Sequence, residues 1–491
     1  MKPGFWLARL SFLALAALGA APATAVHLSP NAVGQALLFP YYTVRSAGGD
    51  QYNTYVSVTN TADDAVVVKA RFREGRNSRL VAEFNLYLAA GDMWTAALVP
   101  AGEGTRLVTS DKSCTNPALP AAGLDFSNAS YSSGDDGAGT GLERTREGHF
   151  EFIEMATMPV GAGISLMPGL AGFNCAAFQG ASPALGELRA PSRGLTGTAT
   201  LINVNSGLDA AYPAEALANL TAVAFYSHPG AAGTDFDSPQ VDPVSHVTAG
   251  NFSYRLLWNR GIDAVNSALM SERFENDFVL DAQTLSGTDW VLAFPTRRFF
   301  VTTTAAQPPF SAPFGPSQGG LSCEGMRGEA ANREANSYLL LGDFSAMIPS
   351  PYRQCWSAAA FPVRQAGVAI PVGSSDVLGA ANTLGWTSAF LPIGPIQPWG
   401  GIGVREDFFN GRLKLWFDSG SSVTSLPGSS WVDLATGAVG TGPVSLFGLP
   451  AAGFMVRTFE NGTLACGGGA CQGNYMSAFP HRRITQILRP S

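Results

Sequence analysis

The sequence predicts a mainly β protein. An immunoglobulin-like β-sandwich at the N-terminus is followed by one or two further β-sheet units with long Pro/Gly-rich loops and a few short helices. Three observations carry this expectation. Runs of polar–apolar alternation recur between residues 54 and 88. Turn-forming residues punctuate them, in a chain with 56 glycines and 32 prolines. Helical spacing is clear in one stretch only. Period-two alternation gives a strand a dry and a wet face, and a sheet with one dry face is usually buried against a second sheet.

The chain opens with MKPGFWLARLSFLALAALGAAPATA. Lys2 and Arg9 flank the start of an apolar run from Leu10 to Ala21, and Ala23-Thr24-Ala25 is a small-residue cleavage site. This pattern predicts a secretory signal peptide over 1–25, its apolar run too short to span a bilayer. No later stretch is long and apolar enough to span. The expectation is a protein without a transmembrane segment after signal cleavage, exported to the periplasm, the cell surface or the medium.

Val56 and Val58 then alternate with polar neighbours over 54–60, and Thr61 to Asp64 forms a turn. Over 65–74, Val66, Val68, Ala70 and Phe72 share one face while Lys69, Arg71 and Arg73 share the other. Gly75 to Ser78 turns again, and Leu80, Ala82, Phe84, Leu86 and Leu88 alternate with Glu83, Asn85 and Tyr87. These read as antiparallel sandwich strands with the charged face toward water. A Gly/Ser/Asp-rich loop at 127–141 leads to a strand at 148–155. Further strands are expected at 196–204, 221–226, 290–294, 298–303, 412–417, 445–447, 453–459 and 483–488. Over 261–271, Ile262, Val265, Leu269 and Met270 fall on one helical face. The expected division is the signal peptide, a sandwich with a long loop over 26–190, a second β-rich unit with the short helix over 191–310, an irregular Pro/Gly-rich segment over 311–403, and a C-terminal β-rich unit over 404–491.

The phrase Ala-Phe-Pro-x-Arg occurs at 293–297, 360–364 and 478–482, with Leu38-Phe39-Pro40 a shorter cousin. Proline offers no amide hydrogen to a ladder. Each phrase is therefore expected to end one strand at Phe and start the next after Pro.

Composition narrows the partners. The formal net charge is −7 and charged residues are 14% of the chain, so no electrostatic footprint for nucleic acid exists. Six cysteines in an exported chain predict disulfides. A preference for short loops pairs Cys114–Cys175, Cys323–Cys355 and Cys466–Cys471, one choice among the connectivities that six cysteines allow. Zinc is disfavoured, because the sequence has neither C-x-x-C nor a cysteine–histidine cluster.

Four stretches together resemble a family of uncharacterised secreted proteobacterial proteins. They are LLFPYYTVR (37–45), VSVTNTADDAVVVKARFREGRNSRLVAEFNLYLAAGDMWTAAL (56–98), RTREGHFEFIEM (144–155) and GTDWVLAFPTRRFFV (287–301). The resemblance covers about half of the mature chain, in patches, and 56–98 is its most specific part. It implies export and a mainly β architecture. It brings no activity, cofactor or functional residue with it.

No G-x-S-x-G elbow, H-E-x-x-H, P-loop or dinucleotide fingerprint occurs. Four constellations remain. Glu147, His149 and Glu151 alternate on one strand, successive members about 7 Å apart, suiting acid–base work or a metal, or simply a wet face. Asp235, Asp237 and Asp242 with His246 form an acidic loop of the type that holds calcium through oxygens, without EF-hand spacing. Metal-free acidic surface loops are the commoner case. His27 lies near the mature start, but cleavage after Ala25 puts Val26 first and removes the N-terminal histidine geometry that copper oxygenases use. Trp386, Trp399, Trp416 and Trp431 suit a carbohydrate platform, although tryptophans in a chain of this size mostly fill core.

The sequence thus points to an exported, non-catalytic envelope or cell-surface protein. Its expected role is binding, adhesion or assembly, with an envelope protein or surface polymer as partner. The main rival is an extracellular polymer-acting enzyme, glycoside hydrolase-like, using Glu147 and Glu151 as paired carboxylates. A calcium-dependent binding module is the third reading, and calcium is the one cofactor left open.

Overall fold

The alternating runs form strands, and the chain is mainly β, with Gly261–Leu269 the one α-helix among the described residues. The computed structural model describes residues 25–491 except 48, 159–165, 167–172, 182, 184–186, 282–283, 316–318, 341–351, 366–373, 387–396, 399–401, 406, 418–421, 467–468 and 490–491. Side chains at 338–340, 385–386, 397–398 and 461–472 are outside that description. The expected signal peptide up to residue 24, the Trp386 and Trp399 side chains and the Cys466–Cys471 pair all lie there. Cys114–Cys175 and Cys323–Cys355 are both bonded as expected. No helix among the described residues is long and apolar enough to cross a membrane.

Two antiparallel sheets build the N-terminal half. Sheet I has seven strands in the order His27–Leu28, Glu215–Ala218, Ala36–Thr43, Glu147–Met158, Ala65–Glu74, Leu80–Leu88, Cys114–Asn116. Sheet II has six, in the order Leu124–Asp125, Gly104–Val108, Met93–Ala101, Asn53–Asn60, Leu195–Asn203, Leu208–Pro213. Asn53–Asn60 pairs with Met93–Ala101 although the hairpin between them in sequence belongs to sheet I. The chain therefore crosses between sheets and locks them together. Phe39, Phe72, Phe84, Phe150 and Phe152 of sheet I meet Val56, Val58, Trp94, Leu195 and Leu201 of sheet II in one core. The Phe39 and Phe150 rings stack at 4.3 Å.

Sheet I corrects one expectation. Every residue of Ala65–Glu74 and of Glu147–Met158 is buried, so the sheet is covered on both faces. The face of Lys69, Arg71 and Arg73, expected to be wet, lies under the 225–238 segment and the turn around Arg298. The strand expected at 221–226 is irregular backbone instead. Its continuation turns carbonyls toward the sheet, and Lys69 Nζ donates to those of Ser227 and His228.

Two larger sheets carry most of the rest, beside a four-stranded, a three-stranded and two two-stranded sheets. Sheet III has Glu324–Asn332, Asn410–Phe417, Arg273–Val279 and Arg482–Ile484 side by side. Sheet IV runs Ile402–Val404, Ala358–Gln365, Gly287–Ala293, Ala452–Cys466, Gly469–Pro480. Strands from 191–310 and from 404–491 thus share both sheets. One face of sheet IV, with Trp290, Leu292, Phe361 and Met455, packs on Phe274, Met326, Leu413 and Leu415 of sheet III. Its other face, with Val291, Ala293, Ala358, Ala360, Phe454 and Val456, joins the sandwich core.

The three Ala-Phe-Pro-x-Arg phrases behave differently. The last ends a strand at Pro480 and the next begins at Arg482, much as expected. The first ends a strand at Ala293 but leads into a 3-10 turn over Arg297–Phe299, so the strand expected at 298–303 does not form. The middle one lies inside the single strand Ala358–Gln365, with Pro362 opposite Asp289 and the parallel ladder to Ile402–Val404 beginning only at Val363. A proline can stay within a strand where the neighbouring ladder has not begun.

Candidate functional site: an arginine-lined cleft

The site is built on the turn joining Ala65–Glu74 to Leu80–Leu88. Glu74 ends the first strand with its carboxylate fully buried. Its Oε1 accepts the backbone N–H groups of Asn77 and Arg79, both at 2.9 Å, and its Oε2 that of Arg76 at 2.8 Å. One carboxylate thereby serves three turn amides. Arg144, also fully buried, neutralises it at 3.0 Å, pairs with Asp136 at 2.8 Å and lies 4.0 Å over the Tyr131 ring. A Cβ on Gly75 would sit 2.6 Å from Asn382 Nδ2 and 3.1 Å from the Ala358 carbonyl, so a larger residue here would have to push the Asn382 amide aside and crowd that carbonyl. The result holds Ser78 in the left-handed region at φ 58°, with its Oγ 2.9 Å from His149 Nε2.

A buried charged layer continues from the turn across sheet I. Arg73 bonds Glu151 at 3.2 Å and the Ser78 carbonyl at 3.2 Å. Arg298 reaches the same Glu151 oxygen at 3.2 Å and grips Asp235 at 2.6 and 2.8 Å. Arg71 pairs with Glu83 and with Asp235. Glu151 and Asp235 belong to separate constellations in the sequence, and Arg298 joins them. Burial alone would push the Asp235 carboxyl up, but Arg298, Arg71 and Arg73 hold it well below the usual range. Burial, with Arg73 and Arg298 nearby, holds the His149 imidazole well below its ordinary value and so neutral. Burial lowers Lys69 to about 8 against the pull of Glu83.

Beside this layer opens a cleft of about 440 Å³, walled by Arg73, Ser78, Arg79, Asp135, Arg298 and Phe314 among others. Several buried polar atoms around it have no hydrogen-bond partner: Asn77 Oδ1, His149 Nδ1, Glu151 Oε2 and Arg298 Nε. Behind Phe314, Arg297 lies between the Phe294, Phe310 and Phe314 rings at 6.0, 5.8 and 5.3 Å. Its Nη1 donates to the Cys355 carbonyl, while Nε and Nη2 have no partner. Burial lowers this guanidinium to about 10 despite Glu324 nearby. Each buried polar group left unpaired costs about 1–3 kcal/mol, and these atoms belong to a larger set spread over the molecule.

The remaining sequence candidates fall elsewhere or change character. Glu147, fully buried, has its carboxylate engaged: Oε2 takes the Tyr41 hydroxyl at 2.8 Å, and Oε1 the N–H groups of Ala381 and Asn382, both at 3.0 Å. With Arg45 also at 3.2 Å, this is an anchor for the 380–382 segment, not a solvated acid. Asp235 is consumed by arginines, and Asp237 is raised by burial and by Asp235. His246 bonds Ser253 Oγ at 2.6 Å and sits edge-on to His27 at 6.3 Å, while the Asp242 amide donates to the Leu220 carbonyl. Among the described residues no group of three or more His, Cys, Asp or Glu side chains is placed to hold a metal ion. Trp416 and Trp431 are half-buried on different sheets, Trp416 with Arg273, Arg327 and Lys414 within 5.2 to 5.7 Å of its ring.

Sequence reasoning named Glu147, His149, Glu151 and Asp235 but missed Ser78, Arg79, Arg298 and the Arg144–Asp136 pair. The doubled arginine after Phe-Pro was a visible signal for Arg298; nothing in the local pattern distinguished Ser78 from an ordinary turn residue. The four stretches 37–45, 56–98, 144–155 and 287–301, distant in sequence, meet here through Arg45, Arg73, Glu147, Glu151 and Arg298. No protein-family model, no curated protein and no solved structure matches the chain.

Proposed function

We propose that this is an exported envelope or cell-surface protein with a binding or assembly role, and that the cleft seats an anionic group of its partner. The carrying observation is that three guanidiniums, Arg73, Arg79 and Arg298, line one cleft wall with Asp135 the one carboxylate in that lining, while Glu151 and Asp235 engage Arg73 and Arg298 from behind it. Guanidinium donors pair with carboxylate and phosphate oxygens in a fixed fork, and partial desolvation strengthens those bonds. The two disulfides are compatible with an oxidising compartment, as export requires. The finer assignment of the N-terminal half as immunoglobulin-like rests on the strand pairs that interlock its two sheets.

Arg79 is the residue for the test. Its side chain is 31% exposed and its partner Asp135 52%, so that pair adds little to folding, and its second partner, the buried Asp136 at 3.6 Å, keeps Arg144 when Arg79 is removed. Titration calorimetry with a polyuronate at low salt is expected to show binding that weakens as salt rises. Arg79→Ala is expected to weaken it about tenfold, roughly the 1.4 kcal/mol of one charge-assisted contact. Equal binding of an uncharged polysaccharide, or no effect of Arg79→Ala, defeats the reading.

A further inference from the structure

We propose that Ser78 is a nucleophile with His149 as its general base, and that the cleft cleaves esters carrying a negative charge near the scissile acyl group. The substrate class rests on the anionic-partner reading above; the nucleophile does not.

Three independent observations meet at Ser78. Its hydroxyl is 2.9 Å from His149 Nε2, the separation at which a base takes a proton from an attacking oxygen. Its backbone, at φ 58°, occupies a region that non-glycine residues rarely adopt, and the surrounding Glu74 carboxylate over-determines it. Held strain of this type concentrates at functional sites. Ser78 also lines the arginine cleft, which gives a substrate a place to sit.

The charge arrangement then selects the substrate. A neutral imidazole protonated on Nδ1 presents its Nε2 lone pair to the serine. Taking the proton makes an imidazolium that burial disfavours first and that Arg73 and Arg298 then repel. An anion seated on those guanidiniums offsets the second of these penalties. An anionic ester thus brings its own activation of the base, and a neutral ester does not.

In the step itself, the Ser78 Oγ–carbon bond forms as the hydroxyl proton passes to Nε2 and the carbonyl pair moves onto oxygen. Collapse of that intermediate breaks the ester C–O bond, and the leaving alcohol takes the proton from Nε2. Water then repeats the sequence on the acyl-serine, releasing the acid and restoring Ser78. No oxidant or metal enters the balance.

The test begins on the unmutated protein, treated with a fluorophosphonate and mapped by mass spectrometry. An adduct on Ser78 is expected. Turnover of 4-nitrophenyl hydrogen adipate is expected to exceed that of 4-nitrophenyl acetate at least tenfold in kcat/KM. Ser78→Ala is expected to abolish it, His149→Gln to lower kcat at least a hundredfold, and Arg79→Ala to raise KM for the adipate ester alone. A folded protein that stays unlabelled at Ser78 overturns the proposal, as does a Ser78→Ala protein that hydrolyses the adipate ester at the original rate. Polyuronate binding without labelling sinks the nucleophile and leaves the binding reading standing. Labelling without anion binding or anionic preference sinks the binding reading and the substrate class, and keeps the nucleophile.

Discussion

Glu151 shows how a residue's meaning depends on what lies over it. On a solvated strand face its substitution would change nothing measurable. Here its carboxylate is fully buried and one oxygen is shared by Arg73 and Arg298. Removing one partner of a buried pair leaves an uncompensated charge and costs about 3–5 kcal/mol. Glu151→Gln is therefore expected to lower the urea midpoint sharply, and an unchanged midpoint would show that the arginines find other partners. Titration tests the buried groups together. His481 bonds the Val291 carbonyl at 3.1 Å, packs 4.3 Å from Trp290 and is lowered by burial from 6.5 to about 3. The unfolded chain binds its proton first, so stability complete above pH 6.5 declines as pH falls toward 3. Asp136, for which hydrogen bonds from Arg144 and Asn77 outweigh burial, is lowered from 3.8 to about 2. Its contribution is intact above pH 3.8 and lost as pH falls through about 2. Thermal midpoints measured from pH 7 to pH 2 should fall in these two stages. His481→Asn should shrink the upper one, to which His149 also contributes, and Asp136→Asn the lower, to which Asp235 also contributes.

Elements were legible where one face was dry and the other wet. Asn53–Asn60 keeps the alternation its sequence shows, because sheet II leaves one face open. Ala65–Glu74 has equally regular alternation and is buried throughout. Periodicity identifies a strand but carries no information about what a distant segment lays across its polar face. Irregular spots within strands follow the same logic. The Glu147–Met158 strand shifts register against Ala36–Thr43 between Gly148 and Phe150, beside Pro40, which has no amide to pair. At Gly148 a Cβ would come within 1.9 Å of the Arg73 carbonyl, a backbone atom that cannot swing away. Gly148→Ala should therefore open the Arg73–His149 pairing and destabilise the protein by about 3 kcal/mol or more, as overpacking with a backbone shift does. A loss below about 1 kcal/mol by chemical denaturation would mean that the bulge absorbs the methyl.

At the scale of the molecule, sheet IV belongs to two cores at once. Its Trp290 face packs with sheet III and its Val291 face with the sandwich. Successive residues of one strand thus bind the two halves together, and neither half has its apolar surface closed without the other. A fragment ending at residue 219 would expose the surface that Val291, Ala293, Ala358 and Phe454 cover. It should remain unfolded, or bind a hydrophobic dye strongly, while the whole chain unfolds in one calorimetric transition. Two separated transitions, or a well-folded fragment, would contradict this account.

The sequence by itself determined the β class, the position of the helix at Gly261–Leu269 and the acid–histidine–acid alternation at 147–151, and it favoured the two disulfide pairs found without excluding other pairings. All of these are set by neighbours within a few residues, by hydrophobic periodicity or by short-loop cysteine pairing. Only the tertiary structure decided that the charged face of Ala65–Glu74 is dry, that Asp235 meets Glu151 across Arg298, and that Ser78 touches His149. Those contacts join residues 63 to 163 positions apart, closed by segments with no periodic signature of their own. Local pattern is written along the chain; the desolvation that gives a buried charge its chemistry arises only when the sheets close over it.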